Sequence, residues 1–370
     1  MEERSITAIV LAAGEGVRMR SERPKPLHLL CGRAMLLYVL DSLGDSAVHR
    51  AVVVVGHGAE RVTKTVQEEA GDLVLDFVEQ RVQRGTGDAV SVGLTAFPDE
   101  DLDEGDVIVV PGDTPLLRPS TVAHLVQHHR DTDAACTLLT ARVDDPRGYG
   151  RVVRGKDDRV GRIVEEADAT DDERAINEVN TSIYCFRRAL LAPALRRLSP
   201  ENAQGEYYLT DVVEVLYDAG YPVVSVVADD PVETQGVNDR LQLSFAEAEL
   251  RKRTNAGWLR RGVTMLDPER TYIDATVELS TDVTLFPGTM LQGRCVIGPG
   301  AEIGPNTRLV DCIVGAAATV EQSVGRDAEV GDRARVGPYA VLEPGAHIVA
   351  DARTGPFYTA ASDDAGEPTS

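Results

Sequence analysis

Short apolar runs alternate with longer amphipathic stretches through the first half of the chain. The first run, Ile6–Ala12, is almost entirely apolar and rich in β-branched residues, which is typical of a strand covered on both faces of a parallel sheet. Repeated alternation of such strands with helices predicts an α/β fold with a mostly parallel, doubly wound sheet. The predicted strands are residues 6–12, 50–55, 73–78 and 107–110, and the predicted helices are residues 34–43, 58–70, 88–96 and 119–129.

The pattern changes after residue 134. Two neighbouring runs predict a hairpin that turns at Lys156-Asp157-Asp158, and a long amphipathic stretch near residue 240 predicts a helix that leads out of the α/β region. The predicted strands of this part are residues 134–142, 149–154, 159–165, 179–186 and 223–227, and the predicted helices are residues 188–197, 207–219 and 238–255.

Aliphatic residues recur every six positions in the last part of the chain. A spacing of six fits neither a strand nor a helix, but it matches the hexapeptide repeat of a parallel β-helix, in which stacked coils share one core. The phase slips once, after residue 309, and the pattern stops near residue 354. We therefore expect a β-helix through which the chain self-associates, with a trimer as the suggested assembly, and a disordered polar tail after it. The repeat positions are Ile273, Leu279, Leu285, Leu291, Ile297, Ile303, Leu309, Val324, Val330, Val336, Leu342 and Ile348.

The composition limits the class of partner. The formal net charge is −22, which argues against nucleic acid because a phosphate backbone needs a basic surface. A small anionic substrate stays possible where cations are concentrated locally. The five cysteines are scattered, with neither metal-site spacing nor a disulfide pattern, which favours a reducing compartment. We expect no signal peptide and no membrane span, and a cytoplasmic protein.

The turn after the first strand has the features of a phosphate-binding loop. Gly14 and Gly16 let the backbone approach a ligand, and Arg18 and Lys25 follow as a planar and a compact cation. Lys25 stands out because only four of the 38 basic residues are lysines. The turn is neither a dinucleotide fingerprint nor a Walker loop, and an ordinary loop with surface cations is the alternative.

Asp113 directly follows the fourth predicted strand. Ligands of doubly wound sheets bind beyond the carboxyl ends of the strands, so we expect Asp113 and the first loop at one crevice. A carboxylate beside a phosphate loop suits Mg²⁺, and a turn or helix-capping aspartate is the alternative. His124, His128 and His129 have no matched carboxylates, so we interpret them as solvated surface rather than a metal site.

Eight motifs occur in the order of a known bacterial family. The chain resembles the bifunctional N-acetylglucosamine-1-phosphate uridyltransferase/glucosamine-1-phosphate acetyltransferases over nearly its whole length. The resemblance implies a Rossmann-like nucleotidyltransferase domain (1–235), a linker helix (236–262), a short left-handed parallel β-helix (263–358) and a disordered tail (359–370). The motifs are LAAGEGVRMRSERPKPLH, QRVQRGTGDA, PGDTPLL, GYGRVV, RIVEEADAT, EVNTSIY, NAQGEYYLTD and GVNDRLQL.

The resemblance also implies an activity and a set of site residues. In that family the first domain condenses UTP with N-acetylglucosamine 1-phosphate, giving UDP-N-acetylglucosamine and pyrophosphate, with Mg²⁺. Arg18 and Lys25 match the phosphate-binding cations, and Asp113 and Asn238 match the metal ligands. The matching nucleotide positions are Leu11, Ala12, Ala13, Gly14, Gln80, Gly85, Thr86 and Gly112, and the sugar-side positions are Gly150, Glu165, Asn180, Tyr208 and Thr210.

Three positions depart from the family pattern. Val17 replaces a small hydroxyl residue, Asp88 a histidine and Pro111 an aromatic residue, all beside the base and phosphate pocket. The family's acetyl-transfer residues lie on further β-helix coils, so we expect this 370-residue chain to lack acetyltransferase activity.

Two other functions stay open at this point. The first is a related nucleotidyltransferase that uses another NTP or another sugar or cyclitol 1-phosphate, and Asp88 and Pro111 motivate it. The second is a catalytically inactive scaffold or regulator that assembles through the β-helix.

Overall fold

A computed structural model describes residues 4–46, 48–97, 105–155 and 159–360. The chain divides into two compact units. The first unit combines the chain up to His28 with Ala34–Leu243, and the second combines Leu29–Arg33 with the chain from Ser244 onward.

A nine-stranded sheet forms the centre of the first unit. Its strand order is β9-β5-β8-β4-β1-β2-β3, and β6 and β7 form a hairpin that joins it through β8. Most neighbours on this path are parallel, as predicted, but β8 is antiparallel to both β4 and β5. The strands are β1 (Ile6–Ala12), β2 (Arg50–Val55), β3 (Val74–Glu79), β4 (Asp106–Pro111), β5 (Cys136–Arg142), β6 (Arg151–Arg154), β7 (Val160–Val164), β8 (Glu178–Arg187) and β9 (Val223–Val227).

Helices cover both faces of this sheet because its strands are apolar on both sides. In β1, Ala8 and Val10 belong to one buried cluster and Ile9 to the other. The first cluster contains residues of α1, α2 and α4, and the second contains residues of α3, α6 and α7. The helices are α1 (Met35–Gly44), α2 (Ala59–Glu69), α3 (Thr86–Leu94), α4 (Pro119–Asp131), α5 (Asp171–Arg174), α6 (Arg188–Leu195), α7 (Asp211–Asp218) and α8 (Arg240–Arg260).

The helix predicted from residue 207 begins later, at Asp211. Three hydrogen bonds hold the preceding segment against the start of α3 instead: Tyr207 N–H donates to Arg84 O (2.8 Å), Gly87 N–H donates to Tyr207 O (2.8 Å), and Leu209 N–H donates to Thr86 Oγ1 (3.0 Å). These non-local partners occupy backbone groups that a helix would otherwise use. The predicted turn at 156–158 lies outside the described residues.

The interpretation of the three histidines as solvated surface was wrong for His129. Its side chain is buried, with Nδ1 2.9 Å from Thr137 Oγ1 and Nε2 3.6 Å from Asp106 Oδ1. Asp106 is itself buried and also accepts a hydrogen bond from Arg130 Nε at 3.2 Å. Among the residues that the structure describes, no group of three or more His, Cys, Asp or Glu side chains could hold a metal ion.

The second unit is the predicted parallel β-helix, with three sheets whose strands repeat in turn along the chain. Each strand pairs in parallel with the equivalent strand of the next coil. The first sheet contains Thr264–Met265, Thr284–Leu285, Glu302–Ile303, Thr319–Val320 and Arg335–Val336; the second contains Tyr272–Ile273, Met290–Gln292, Arg308–Val310, Val324–Arg326, Val341–Leu342 and Thr359–Ala360; the third contains Glu278–Leu279, Val296–Ile297, Ile313–Val314, Glu329–Val330 and His347–Ile348.

The predicted repeat positions fill the core of this β-helix, with one error in the second run. Val324 is 50% exposed, and the strand pairing places Gly325 opposite Leu309 at the interior position. The interior residues Val320 and Gly325 are five positions apart rather than six, because the turn between them is one residue shorter. The predicted tail also begins too early, since Thr359–Ala360 is a strand paired with Val341–Leu342.

All but the last residue of a short hairpin early in the chain belongs to the second unit. Its strands are Leu29–Leu30 and Arg33–Ala34, with Cys31 and Gly32 at the turn. Cys31 N–H donates to Glu247 Oε2 at 2.7 Å, and Cys31 O accepts from Ala275 N–H at 2.8 Å. All five cysteines are free and buried, as expected for small apolar side chains.

No helix in the described part of the chain is long and apolar enough to cross a membrane.

Candidate active site

The carboxyl ends of β1 and β4 place two functional loops side by side. These strands are parallel neighbours, with Leu11 opposite Pro111. Gly112 N–H donates to Leu11 O at 2.8 Å, so the chain beyond β4 stays against the end of β1. A Cβ at position 112 would lie 3.1 Å from Leu11 O, which explains the glycine before Asp113. The predicted crevice is therefore present at this edge of the sheet.

A cavity of about 650 Å³ lies at this edge. Every predicted site residue lines it except Tyr208 and Thr210. Three cations and three carboxylates line it, although the chain as a whole is strongly acidic. The predicted residues on its wall are Leu11, Ala12, Ala13, Gly14, Arg18, Lys25, Gln80, Gly85, Thr86, Gly112, Asp113, Gly150, Glu165, Asn180 and Asn238.

Lys25, Asp113 and Asn238 meet inside the cavity. Lys25 Nζ donates to Asp113 Oδ2 in a short contact and to Asn238 Oδ1 at 2.8 Å. A backbone hydrogen bond from Val237 N–H to Asp113 O (2.8 Å) holds the two loops together. Two oxygens, one of them anionic, thus converge on a single cation. Hard oxygen donors of this kind are the ligands that Mg²⁺ takes in proteins, so the pair fits that metal.

Arg18 lies on a short 3₁₀ turn, Val17–Met19, and is exposed on the cavity wall. The turn begins after Gly16, whose φ of 66° is in the left-handed region. A Cβ at Gly16 would lie 2.7 Å from Lys25 Cβ, so the loop that carries Arg18 packs closely on the stem of Lys25.

Several predicted nucleotide-binding residues lie near Gln80, which follows β3. Its side chain is buried, and Nε2 donates to Gly85 O at 3.2 Å and to Asp88 Oδ2 at 2.8 Å. Both amide hydrogens are therefore used, and Oε1 is left as the acceptor that Gln80 offers to the cavity. Asp88, the departure from the family histidine, is thus a direct partner of a predicted nucleotide-binding residue.

Of the predicted sugar-side residues, Glu165 directly follows β7, Asn180 lies on β8 and Gly150 precedes β6. Gly150 O accepts from Asn180 N–H at 2.9 Å, and Asn180 Nδ2 donates to Tyr184 OH at 2.7 Å. Glu165 Oε1 accepts from Thr210 Oγ1 at 3.1 Å. Burial raises the pKa of Glu165, and the negative charges of Asp211 and Asp168 add to this rise, although the Thr210 hydrogen bond opposes it.

Two predicted sugar-side residues do not line the cavity. Thr210 is outside the cavity wall and orients Glu165 through the hydrogen bond from its hydroxyl. Tyr208 is buried, and its hydroxyl has no hydrogen-bond partner among the described residues. Burial, with the nearby negative charges of Asp168 and Glu165, raises the pKa of Tyr208 to about 12. The motif that contains both residues is therefore near the site, but neither side chain reaches the cavity.

Sequence reasoning missed several wall residues. Gln83 Nε2 donates to Ala13 O at 2.6 Å and so connects the base-side loop to the first loop. Gln242 Oε1 accepts from Asn238 N–H at 2.7 Å and holds the loop that presents Asn238. Gln83 could have been predicted from the sequence, because it lies between the predicted site residues Gln80 and Gly85. The role of Gln242 is visible only in the structure, through its hydrogen bond with Asn238. The other missed polar residues include Arg147, Tyr149, Ser182 and Glu206.

Comparison with known proteins identifies the family of the chain that carries this cavity. Residues 8–215 match the profile of the MobA-like NTP transferase domain. The chain is 44% identical to the bifunctional protein GlmU of Brevibacillus brevis over 352 residues, 95% of this chain and 75% of the relative. The chain belongs to the GlmU family. GlmU of Exiguobacterium sibiricum is also 44% identical, over 97% of this chain and 78% of the relative, and that of Mycobacterium tuberculosis is 45% identical over 94% and 70%.

Membership of the GlmU family makes the chain a nucleotidyltransferase, and the scaffold-only alternative falls away. The matched NTP transferase segment contains the cavity wall from Leu11 to Glu206. Asn238 and Gln242 lie beyond it, within the longer GlmU alignments.

Proposed function

We propose that the chain transfers a uridylyl group from UTP to N-acetylglucosamine 1-phosphate, giving UDP-N-acetylglucosamine and pyrophosphate. The observation that carries this proposal is the meeting of Lys25 with Asp113 and Asn238 in a cavity that also holds Arg18 and Gln80. GlmU family membership supports the same reaction class.

The chemistry asks for positioning and charge neutralisation rather than proton transfer. The sugar phosphate oxygen attacks the α-phosphorus of UTP, a P–O bond forms, and the bond to pyrophosphate breaks. The attacking phosphate is already an anion, so no general base is required. Lys25 and Arg18 would neutralise charge on the phosphates, and fixed charges of this kind stabilise such transition states. Asp113 and Asn238 would hold Mg²⁺, which supplies further charge neutralisation when bound.

Base and sugar selection would fall to different residues of the cavity wall. Gln80 Oε1 is an acceptor and suits a base edge that presents an N–H, as the uracil imide does. Glu165 and the loop at Gly150 would receive the hydroxyls and the acetamido group of the sugar.

A pyrophosphate-release panel tests the proposal. Five NTPs (UTP, CTP, ATP, GTP and dTTP) would be combined with N-acetylglucosamine, glucosamine and glucose 1-phosphates and with an inositol phosphate. We expect the highest kcat/KM with UTP and N-acetylglucosamine 1-phosphate. A higher kcat/KM for another pair would identify a sibling transferase, and the absence of release with every pair would refute the function.

Asp88 gives a prediction about the base pocket. We expect Asp88→Ala to raise KM for UTP about tenfold with a much smaller change in kcat, because Gln80 loses one of its two orienting acceptors, worth about 1.4 kcal/mol. Asp88→Asn keeps an acceptor oxygen and should largely restore KM. Steady-state kinetics with varied UTP would check both variants; an unchanged KM in Asp88→Ala would show that Gln80 does not read the base through this contact.

We include in the proposal that this 370-residue polypeptide lacks acetyltransferase activity. The sequence contains no lysine after Lys252, and a lysine is among the residues that the family uses for acetyl transfer. Incubation with acetyl-CoA and glucosamine 1-phosphate should release no free thiol. Thiol release above the enzyme-free rate would contradict this part alone. Trimeric assembly and a cytoplasmic location stay predictions.

A further inference from the structure

Lys25 occupies the point at which the proposed metal ligands converge. Its ammonium contacts Asp113 Oδ2 and Asn238 Oδ1, the two oxygens assigned to Mg²⁺. An ammonium and a divalent ion both need these lone pairs, and two cations at one point repel each other. Lysine and metal therefore compete for the same pair of oxygens.

The base of the Lys25 side chain is packed, and its end projects into the cavity. Gly16 packs against the first carbon of the side chain, and Lys25 begins the 3₁₀ turn Lys25–Leu27. The outer methylenes and the ammonium project into the cavity, and the side chain is 14% exposed. Movement of the ammonium away from the two oxygens would then need a change of the outer side-chain torsions and no movement of the backbone.

Lys25 supplies the charge that Asp113 needs in the absence of a metal. The Asp113 side chain is only 23% exposed, and a partly buried carboxylate is stabilised by an opposite charge. Arg18, the neighbouring cation of the phosphate loop, makes no hydrogen bond or ion pair with Asp113 or Asn238, so among the described residues Lys25 is the cation that pairs with this carboxylate.

We propose that Lys25 is the resident counter-ion of Asp113, and that a divalent cation binds the Asp113–Asn238 pair by displacing the Lys25 ammonium into the phosphate-binding part of the cavity. The metal assignment within this inference rests on the proposed function. The arrangement would couple metal binding to the position of Lys25: the ammonium would reach the phosphate-binding part of the cavity only when the metal occupies the Asp113–Asn238 pair.

Metal binding without substrates tests the competition. Binding of Mn²⁺ to the full chain would be measured by electron paramagnetic resonance and calorimetry. We expect Lys25→Met to bind Mn²⁺ about tenfold more tightly than the unmodified chain, within the usual range of coupling between two ligands. Arg18→Met is the matched control, since it removes one positive charge from the same cavity without touching the pair. Adding Asp113→Ala to Lys25→Met should abolish the gain.

Lys25→Met binding no tighter than the unmodified chain would overturn the proposal. An equal gain in Arg18→Met would also overturn it, because general electrostatics would then account for the effect.

The small number of lysines offers a second readout. The chain has four, so an ¹⁵N-lysine-labelled sample gives few ammonium signals, and Lys25→Met identifies the one from Lys25. Saturating Mg²⁺ should shift this signal and leave those of Lys64 and Lys252 in place. An unmoved Lys25 signal in a sample that still releases pyrophosphate would refute displacement alone. A shifted signal without pyrophosphate release from any substrate pair would refute the function alone.

Discussion

Asp113→Ala is expected to lower kcat for uridylyl transfer by at least about 10²-fold, the scale of losing one preorganised electrostatic group in an active site. Asp113 provides the one carboxylate of the proposed metal pair, and it is also the anionic partner of Lys25. Its loss would weaken metal binding and leave the ammonium without a fixed position. Pyrophosphate release at saturating substrates, repeated over a series of Mg²⁺ concentrations, would measure the effect.

Asp76→Ala is the matched control for this experiment. It removes an aspartate of the same unit, ion-paired with Arg50 at 2.7 Å, that does not line the cavity. We expect its kcat to stay within about twofold of that of the unmodified chain, because Asp76 is outside the cavity and a partly exposed ion pair contributes little to the stability of the fold. Turnover of Asp113→Ala within about tenfold of the unmodified chain would sink the assignment of Asp113 as a metal ligand.

Asp106→Asn is expected to cost about 3 kcal/mol of folding free energy at pH 7, because it removes a buried charge from its partners. Burial alone would raise the pKa of Asp106, but the neighbouring His129, Arg130 and Arg4 outweigh it and hold the pKa below the ordinary value of 3.8. A carboxyl whose pKa is lowered by folding stabilises the protein above its unfolded pKa and loses this contribution as the pH falls through the folded pKa. The difference between the two proteins should therefore narrow below about pH 4.

Urea denaturation followed by circular dichroism at 222 nm, at pH 7 and at acid pH, would measure this difference. The helices α1 to α7 all lie in the first unit, so this signal mainly follows the unit that contains Asp106. Asp76→Asn, at a partly exposed ion pair, should cost less than about 1 kcal/mol of folding free energy. A loss of folding free energy below about 1 kcal/mol in Asp106→Asn, or a loss that is the same at both pH values, would contradict the role given to Asp106 and its partners His129 and Arg130.

The location of the site could be predicted from the sequence because it depends on short-range features. A buried strand such as Ile6–Ala12 is visible in its own residues, and parallel neighbours necessarily bring their carboxyl ends to one edge. Arg18, Lys25 and Asp113 then follow from their distance to a strand end. Up to the end of α4, each predicted strand or helix begins and ends within two residues of the observed one.

The errors arise where the environment is set by distant partners. The burial of His129 depends on Asp106 and Thr137, which lie on two separate strands. The exclusion of Tyr208 from the cavity follows from hydrogen bonds between its neighbours and the start of α3. Gly325 takes an interior position because one turn is shorter, and a count in sixes cannot detect a change of turn length.

The hairpin at Leu29–Arg33 limits how this protein can be divided. The chain changes unit three times, after residues 28, 33 and 243, so no single cut separates the two units. A fragment that ends at Leu243 would carry Cys31 without Glu247 and Ala275, the partners of its backbone groups. Recombination that exchanges the C-terminal third of such a gene would therefore separate Leu29–Arg33 from the residues that hold it, unless the incoming segment kept equivalents of Glu247 and Ala275.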